Sequence, residues 1–243
     1  MEVDLYSFLM CVNEDNPFLE EAITSVLQQD YQEFEFIIVA NNCTDQLYKK
    51  LCEFEDSRIR LFRTSIGQLS FNLNFGIDKA CGRYIIRMDS DDVCLPNRLS
   101  ICKEYASSEY DLIAFSAELI DENNRCVGIR DLGRESVNRI IYKNPIIHPA
   151  VMLKKESLVR IRGYLGGYQS EDYDLWLRMI GKGYKIHFSK EVVLKYRIRN
   201  GQSKGSLLPY CEVAGYFLRE LLLYKKLSLL AGLFIAIIKR FSR

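Results

Sequence analysis

No Cys-x-x-Cys pair, no excess of either charge and no apolar run long enough to cross a bilayer occurs in these 243 residues. The eight cysteines are scattered, several of them in apolar runs where a thiol behaves as a small hydrophobe. That pattern suits a reducing compartment and argues against a disulfide framework or a zinc site. The 33 basic residues nearly cancel the 32 acidic ones, so no overall field attracts nucleic acid and any anion site must be local. Leu227 to Ile238 is uncharged, but as a helix it covers only about 18 Å of the roughly 30 Å hydrocarbon layer. Repeats, low-complexity tracts and linkers are missing too. Met1 to Asp4 is acidic and runs straight into a strand-like segment, which does not read as a cleaved signal peptide; a chain on the cytoplasmic side is expected. Its length suits one large α/β domain with a sizeable core.

Short apolar runs alternate with helical periodicity in the first half. Leu5 to Val12, Phe34 to Ala40, Ile59 to Phe62 and Tyr84 to Met88 read as strands, and their alternation with helices predicts a parallel sheet. Asn16 as N-cap and Pro17 at the first helical position predict where the first helix starts. The second half is less regular: strands are expected at Leu112 to Leu119, Ala150 to Lys154, near Ile186 and at Val192 to Arg197, with a helix at about Glu171 to Lys182. Ligands of open α/β sheets bind beyond the carboxyl ends of the strands. The residues there are Asn13 to Asp15, Asn41 to Asp45 and Asp89 to Asp92.

Asp89, Asp91 and Asp92 put three carboxylates within four residues, which repel unless a cation or hydrogen-bond donors offset them. A hard divalent ion held by one or two carboxylates and a substrate's phosphates resolves that repulsion. A solvated turn in which Asp92 caps the helix expected after Leu95-Pro96 resolves it equally well.

A resemblance decides between these readings. Gly67-Gln68-Leu69-Ser70, Leu73-Asn74-Phe75-Gly76-Ile77, Ala80-Cys81-Gly82-Arg83-Tyr84-Ile85 and Arg87-Met88-Asp89-Ser90-Asp91-Asp92 through Leu95-Pro96-Asn97-Arg98-Leu99 resemble the family 2 glycosyltransferases with the GT-A fold. Cys11-Val12-Asn13-Glu14 with Leu19 to Gln29, Phe34 to Val39, Asn144-Pro145-Ile146-Ile147-His148-Pro149 and Glu171 to Arg178 extend the match in order, over roughly residues 5 to 203. The resemblance implies a single Rossmann-like mixed sheet with helices on both faces. It implies a catalytic domain over 1–206, with a nucleotide-binding half to about 110 and an acceptor-binding half from 111, followed by a helical segment over 207–243.

It also implies roles. Asp91 would bind Mn²⁺ or Mg²⁺ on the donor diphosphate, and Asp89 would contact the ribose or help place the ion. Asn13 and Glu14 fall on the nucleotide side. Glu171 and Asp172 look like the catalytic pair, with Asp172 as the base that deprotonates the acceptor hydroxyl; both, with Asp174, would also suit a helix N-terminus through its dipole. His148 and Trp176 lie on the acceptor side, although His148 can equally be structural and Trp176 can equally be helix packing.

Two departures stand out. Asn41 takes the place of the aspartate that normally accepts the uracil N3 proton; its amide oxygen can still accept, and it can equally be a turn residue. In Tyr196 to Ser203, Arg199 stands where relatives often carry a histidine, which in some of them helps bind the metal. Arg197 and Arg199 can each offer a fork of donors to phosphate, or can be solvated loop charges.

At the C-terminus, Lys225, Ser228, Gly232, Ala236, Lys239 and Arg243 recur at steps of three or four, leaving Leu229, Leu230, Leu233, Phe234, Ile237 and Ile238 around the rest. Such an amphipathic helix with basic flanks suits an anionic membrane surface, or packs on the domain or a second copy. The expected activity is inverting transfer of a hexose from a UDP-sugar to a lipid-linked saccharide during bacterial surface-polysaccharide assembly, on the inner face of the cytoplasmic membrane. Two other classes fit less well. A sugar nucleotidyltransferase would need a Gly-rich, lysine-bearing signature that is missing, and a non-catalytic nucleotide binder would not need both Asp91 and Asp172.

Overall fold

A computed structural model describes residues 5–199 and 207–241, apart from the side chain at 240. Asn200 to Ser203, Arg243 and the 206/207 boundary therefore lie outside the described residues or at their edge. The elements, in order, are β1 (Tyr6–Val12), α1 (Leu19–Leu27), β2 (Phe34–Asn41), α2 (Asp45–Cys52), β3 (Ile59–Thr64), α3 (Leu69–Lys79), β4 (Tyr84–Met88), β5 (Val93–Cys94), α4 (Arg98–Ala106), β6 (Leu112–Ile120), β7 (Cys126–Arg130), β8 (Val151–Lys154), α5 (Lys155–Arg160), α6 (Glu171–Gly181), β9 (Ile186–Arg197), α7 (Leu208–Tyr224) and α8 (Ser228–Phe241). Short 3₁₀ turns at Val137–Ile141 and His148–Ala150 precede β8.

One mixed sheet runs in the order β3-β2-β1-β4-β8-β6-β9-β5, with β7 on the side of β6. β1 to β4 are parallel, while β8 runs antiparallel between β4 and β6. Every residue of β2 and β4 is buried, as is all of β1 except half-buried Cys11. A strand buried along its whole length is covered on both faces, which is why these segments are mostly apolar, broken only by the buried polar residues Ser7, Glu35, Asn41 and Arg87. The sheet has the GT-A architecture.

Some local expectations are corrected. α1 begins at Leu19, two residues after Pro17; the Asn16 side chain instead accepts from the Phe18 N–H at 3.0 Å and closes the turn before the helix. The helix after Leu95-Pro96 begins at Arg98, because Val93-Cys94 is drawn into antiparallel pairing with β9. Ile186 and Val192 to Arg197 belong to one strand. Its pairing with β6 shifts register around Ser116, where the Ser116 hydroxyl donates to the Ser189 carbonyl at 2.9 Å.

The C-terminal segment forms two helices. Lys225, in a left-handed conformation (φ 54°), breaks the chain between them. Gly232 and Ala236, two members of the small and polar stripe, face inward: a Cβ on Gly232 would lie 2.3 Å from Phe217, so only a bare backbone lets α8 lie this close to α7. Leu229 and Leu233 pack half-buried against the core, while Leu222, Leu223, Leu227, Phe234, Ile238 and Phe241 are left outside, each 60% exposed or more. Among the described residues no helix is long and apolar enough to cross a membrane.

α7 is bound to α6 by charge. Arg219 pairs with buried Asp174 at 2.6 Å, and Asp174 also takes Arg178 at 2.8 Å. Asp174 is thus structural.

Candidate active site

β1 lies between β2 and β4, so Asn13, Asn41 and Asp89 follow neighbouring strand ends. Asn13 and Glu14 stand exposed. Asn41 is buried and its amide oxygen has no hydrogen-bond partner. A buried amide without partners costs about 1–3 kcal/mol, so the position is suited to a ligand that supplies the missing group. Beside it, Asn72 ties down the loop after β3, donating to the carbonyls of Ile66 and Gln68 at 2.7 Å each.

The three aspartates have three different environments. Asp89 is about one-third exposed and pairs at 2.5 Å with Arg87, whose side chain is 2% exposed. Asp91 pairs with Arg199 at 2.9 Å; burial and the charge of Asp89 raise its carboxyl, against the pull of Arg199 and Arg197. Asp92 faces inward and caps no helix. It accepts the Arg197 N–H at 2.8 Å, and burial with the neighbouring charges pushes its carboxyl well above the usual range.

Arg197 does not offer its fork to a phosphate. It is fully buried, and its guanidinium donates to the Asp91 carbonyl at 2.7 Å, to Asn124 Oδ1 at 2.6 Å and to Glu21 at 2.9 Å. These bonds tie the end of β9 to the acidic turn. Arg199, two residues on, carries the accessible positive charge.

Glu171 and Asp172 open α6, and their turn is fastened from α7. Glu212 accepts from the Tyr168 N–H at 2.6 Å, the Gln169 N–H at 3.3 Å and the Ser170 hydroxyl at 2.5 Å. Gly167 (φ 88°) brings the backbone against Tyr216, where a Cβ would lie 2.4 Å from the hydroxyl oxygen. Because Glu212 carries this turn, Glu212→Ala should lower kcat by about 10- to 100-fold while UDP affinity stays unchanged, a loss of alignment at the reacting end. Equal loss of both in steady-state and calorimetric measurements would show a general collapse instead. The same contacts mean that removing 207–243 should inactivate the protein, and not merely release it from membranes.

Asp172 accepts from Asn144 Nδ2 at 2.6 Å and from the Tyr173 N–H at 2.7 Å; burial raises its carboxyl and these donors pull it back. Glu171 lies deeper. Burial first, then the charge of Asp172, pushes it up to about 7. His148 Nδ1 is 4.0 Å from Glu171, and its Nε2 is 2.9 Å from the Tyr164 hydroxyl; burial, and then the Arg87 charge, keep the ring neutral. Tyr164 is held in turn by Asn74, through Asn74 Nδ2 to its carbonyl at 2.7 Å and its N–H to Asn74 Oδ1 at 2.9 Å. Trp176 is fully buried and stands edge-on to His148 at 6.1 Å between ring centres, so it supports that ring.

A carboxyl whose folded pKa lies above its ordinary 4.5 favours the fold when protonated; that contribution is present below about 4.5 and is lost as pH rises through about 7. Glu171→Gln should therefore stabilise the ligand-free protein by about 3 kcal/mol at pH 8 and by much less at pH 5. Urea unfolding at the two pH values checks this; an equal difference at both would mean that Glu171 is not held protonated.

Arg87 joins the two carboxylate groups. From its buried place between the ends of β1 and β4 it senses both Asp89 and Glu171, and the charge of Asp89 in turn raises Glu171. Asn144, Glu212 and Arg87 were not singled out from sequence. Asn144 and Arg87 sit inside motifs that carry the resemblance; nothing local marks Glu212.

A divalent ion fits this donor set only in an open form. Asp89 and Asp91 supply hard oxygens, but among the described residues no group of three or more His, Cys, Asp or Glu side chains converges on one point. An ion here would take most of its shell from diphosphate and water, the usual habit of Mg²⁺.

Carboxylates at a strand end, a buried amide oxygen without a partner at Asn41 and a second carboxylate pair at the start of α6 are the polar groups of the site. The model for glycosyl transferase family 2 matches residues 7–153, and the chain belongs to that family. It is 38% identical over 231 residues to the O-antigen biosynthesis glycosyltransferase WbnJ of Escherichia coli, covering 90% of each chain. It is 28% identical over 212 residues to the UDP-Gal:alpha-D-GlcNAc-diphosphoundecaprenol beta-1,3-galactosyltransferase of Escherichia coli, covering 82% of this chain and 76% of that one. Its fold is similar to S. aureus TarS in complex with UDP-GlcNAc (TM-score 0.76, 17% identity, 98% of this chain and 72% of that one). It is also similar to the mannosyltransferase PcManGT from Pyrobaculum calidifontis in complex with GDP-Man and Mn²⁺ (TM-score 0.70, 17% identity, 98% and 73%).

Proposed function

We propose that this glycosyltransferase is a metal-assisted, inverting hexosyltransferase. It moves a hexose from a UDP-sugar to an undecaprenyl-diphosphate-linked saccharide in bacterial O-antigen or related surface-polysaccharide synthesis. The observation that supports the reading is the ion pair between buried Arg87 and Asp89 at a strand end, with Glu171 near enough for its charge to act on the same guanidinium. The names of the two Escherichia coli relatives support the pathway and the type of acceptor.

In this reading the Asn41 amide oxygen accepts the uracil N3 proton, and its NH₂ donates to a base carbonyl. Asp89 and Asp91 would hold Mn²⁺ or Mg²⁺, whose charge would offset that of the leaving diphosphate. Arg199 leaves Asp91 for a phosphate oxygen. Asp172 takes the proton of the acceptor hydroxyl as that oxygen bonds to the anomeric carbon, while the bond from that carbon to the diphosphate oxygen breaks and its electron pair leaves with UDP. Attack from the face opposite the leaving group turns an α-linked donor into a β-linked product. The chain to about residue 206 carries the donor and acceptor residues, and α7 holds the Glu171–Asp172 turn through Glu212. The exposed apolar residues of α7 and α8, with Lys225, Lys226 and Lys239, rest on the inner face of the cytoplasmic membrane.

UDP titration with and without Mn²⁺, then product assays with UDP-glucose, UDP-galactose and their N-acetyl forms on a lipid-diphosphate-linked acceptor, test the reading. A β-linked product is expected, and an α-linked one overturns the single displacement.

A further inference from the structure

β7 joins the sheet through β6, and its Cys126, Val127 and Ile129 stand exposed. Its last residue, Arg130, is half-buried instead, opposite buried Ala117 of β6. There Arg130 Nη2 donates to the Asn144 carbonyl at 2.8 Å, which closes the loop that carries the 3₁₀ turn Val137–Ile141. The loop is fastened at its start as well, where the Leu132 N–H donates to the Ser116 hydroxyl oxygen at 2.8 Å. Asn144 is thereby committed at three atoms. Its carbonyl takes Arg130, its Oδ1 accepts from the Ile146 N–H at 3.1 Å, and its Nδ2 donates to Asp172 at 2.6 Å.

Holding a carbonyl requires a donor but not a charge, and drawing a guanidinium out of water carries a desolvation cost. Arg130 shows that cost: burial, the largest influence, lowers its pKa, while Tyr196, Glu135 and Asp172 act in the opposite direction. The charges of Arg130 and Asp172 therefore act on each other. The other cations near this carboxylate are engaged elsewhere. Lys143 pairs with Glu135 at 2.6 Å, Lys239 reaches the Tyr142 carbonyl at 2.6 Å and Arg87 pairs with Asp89. Glu171, Tyr164 and Tyr173 also feel the Asp172 charge, but none of them brings a positive one.

We propose that Arg130 is a positioning residue of the transfer reaction: by holding the Asn144 carbonyl it aims Asn144 Nδ2 at Asp172, and its charge stabilises the carboxylate that takes the acceptor's proton. The inference rests on Asp172 as the base of the proposed transfer, but the coupling it describes can be measured without any substrate.

The test uses the full chain. Arg130→Gln removes the charge and shortens the reach to the Asn144 carbonyl; it should lower kcat about tenfold or more, while calorimetry finds the affinity for UDP with Mn²⁺ unchanged. The acid limb of its kcat profile should lie at higher pH, because a carboxylate that loses a nearby cation takes up its proton more readily. Arg130→Lys restores the charge and should bring both readouts most of the way back to wild type. On an Asp172→Asn background, Arg130→Gln should cost no further rate, since the base it serves is already gone. In urea unfolding near neutral pH, the midpoint shift of the double variant should be smaller than the sum of the two single shifts. Unchanged kcat, a parallel loss of UDP affinity, an unmoved acid limb or additive midpoint shifts overturn the role of Arg130 even if transfer proceeds. Coupled midpoints in a protein that transfers no sugar, or whose Asp172→Asn variant keeps its turnover, uphold the link from Arg130 to Asp172 and defeat the reading of Asp172 as base instead.

Discussion

Asp172→Asn should lower kcat by about 10²–10⁴-fold, the typical contribution of a positioned general base, with UDP affinity unchanged. The carboxamide has nearly the same shape. It can still present an oxygen to Asn144 Nδ2, where the carboxylate now accepts at 2.6 Å, so the loop at Asn144 should hold its place. The Tyr173 N–H loses a charged acceptor, worth about 1.5–3 kcal/mol of stability and visible as a lower urea midpoint. The reaction itself loses its proton acceptor, because a neutral amide cannot take the hydroxyl proton near pH 7. A variant within threefold of wild type would assign the base elsewhere. Glu171 is then the candidate, since its pKa of about 7 suits proton transfer near neutrality. The acid limb of the kcat profile separates the two: with Asp172 as base, Glu171→Gln should move that limb and keep measurable turnover, whereas with Glu171 as base it should remove turnover.

The parallel half of the sheet was legible because its strands are buried on both faces. Phe34 to Ala40 and Tyr84 to Met88 are apolar for that reason but for Glu35 and Arg87, each of which is buried with an ion-pair partner. β7 was not legible, since it lies at the side of the sheet with Cys126, Val127 and Ile129 exposed and no alternation to mark an inner face. β5 is only two residues long and exists through its pairing with β9.

The carboxylates of the site stood out because like charges crowd together in short motifs. Their supports did not, because each acts across long sequence separations. Arg197 reads as a loop cation until Glu21, the Asp91 carbonyl and Asn124 close around it. Glu212 looks like any helix-surface acid until the loop before α6 folds onto it. The C-terminal stripe left more than one packing open for a different reason. Periodicity locates two faces of α8, but close approach to Phe217 favours the small one, leaving Phe234 and Ile238 outside.

Asp91→Asn should reduce transfer by about 10²–10⁴-fold and should also abolish the tightening of UDP binding by Mn²⁺. Loss of about 3–5 kcal/mol of charge stabilisation on the leaving diphosphate corresponds to that range. The binding readout matters because Asp91 is also the partner of Arg199 at 2.9 Å. Two effects of the substitution oppose each other. The site loses a hard oxygen ligand, while Arg199 is released to meet the diphosphate directly. UDP affinity measured without metal should therefore hold steady or rise slightly, while the affinity measured with Mn²⁺ falls to the same value. Arg199→Ala should show the converse: metal-free UDP binding weakens, and the gain on adding Mn²⁺ becomes larger because Asp91 no longer has an internal cation to give up. If Mn²⁺ tightens UDP binding equally in wild type and Asp91→Asn, the ion does not use Asp91, and the carboxylate serves the fold and Arg199 alone.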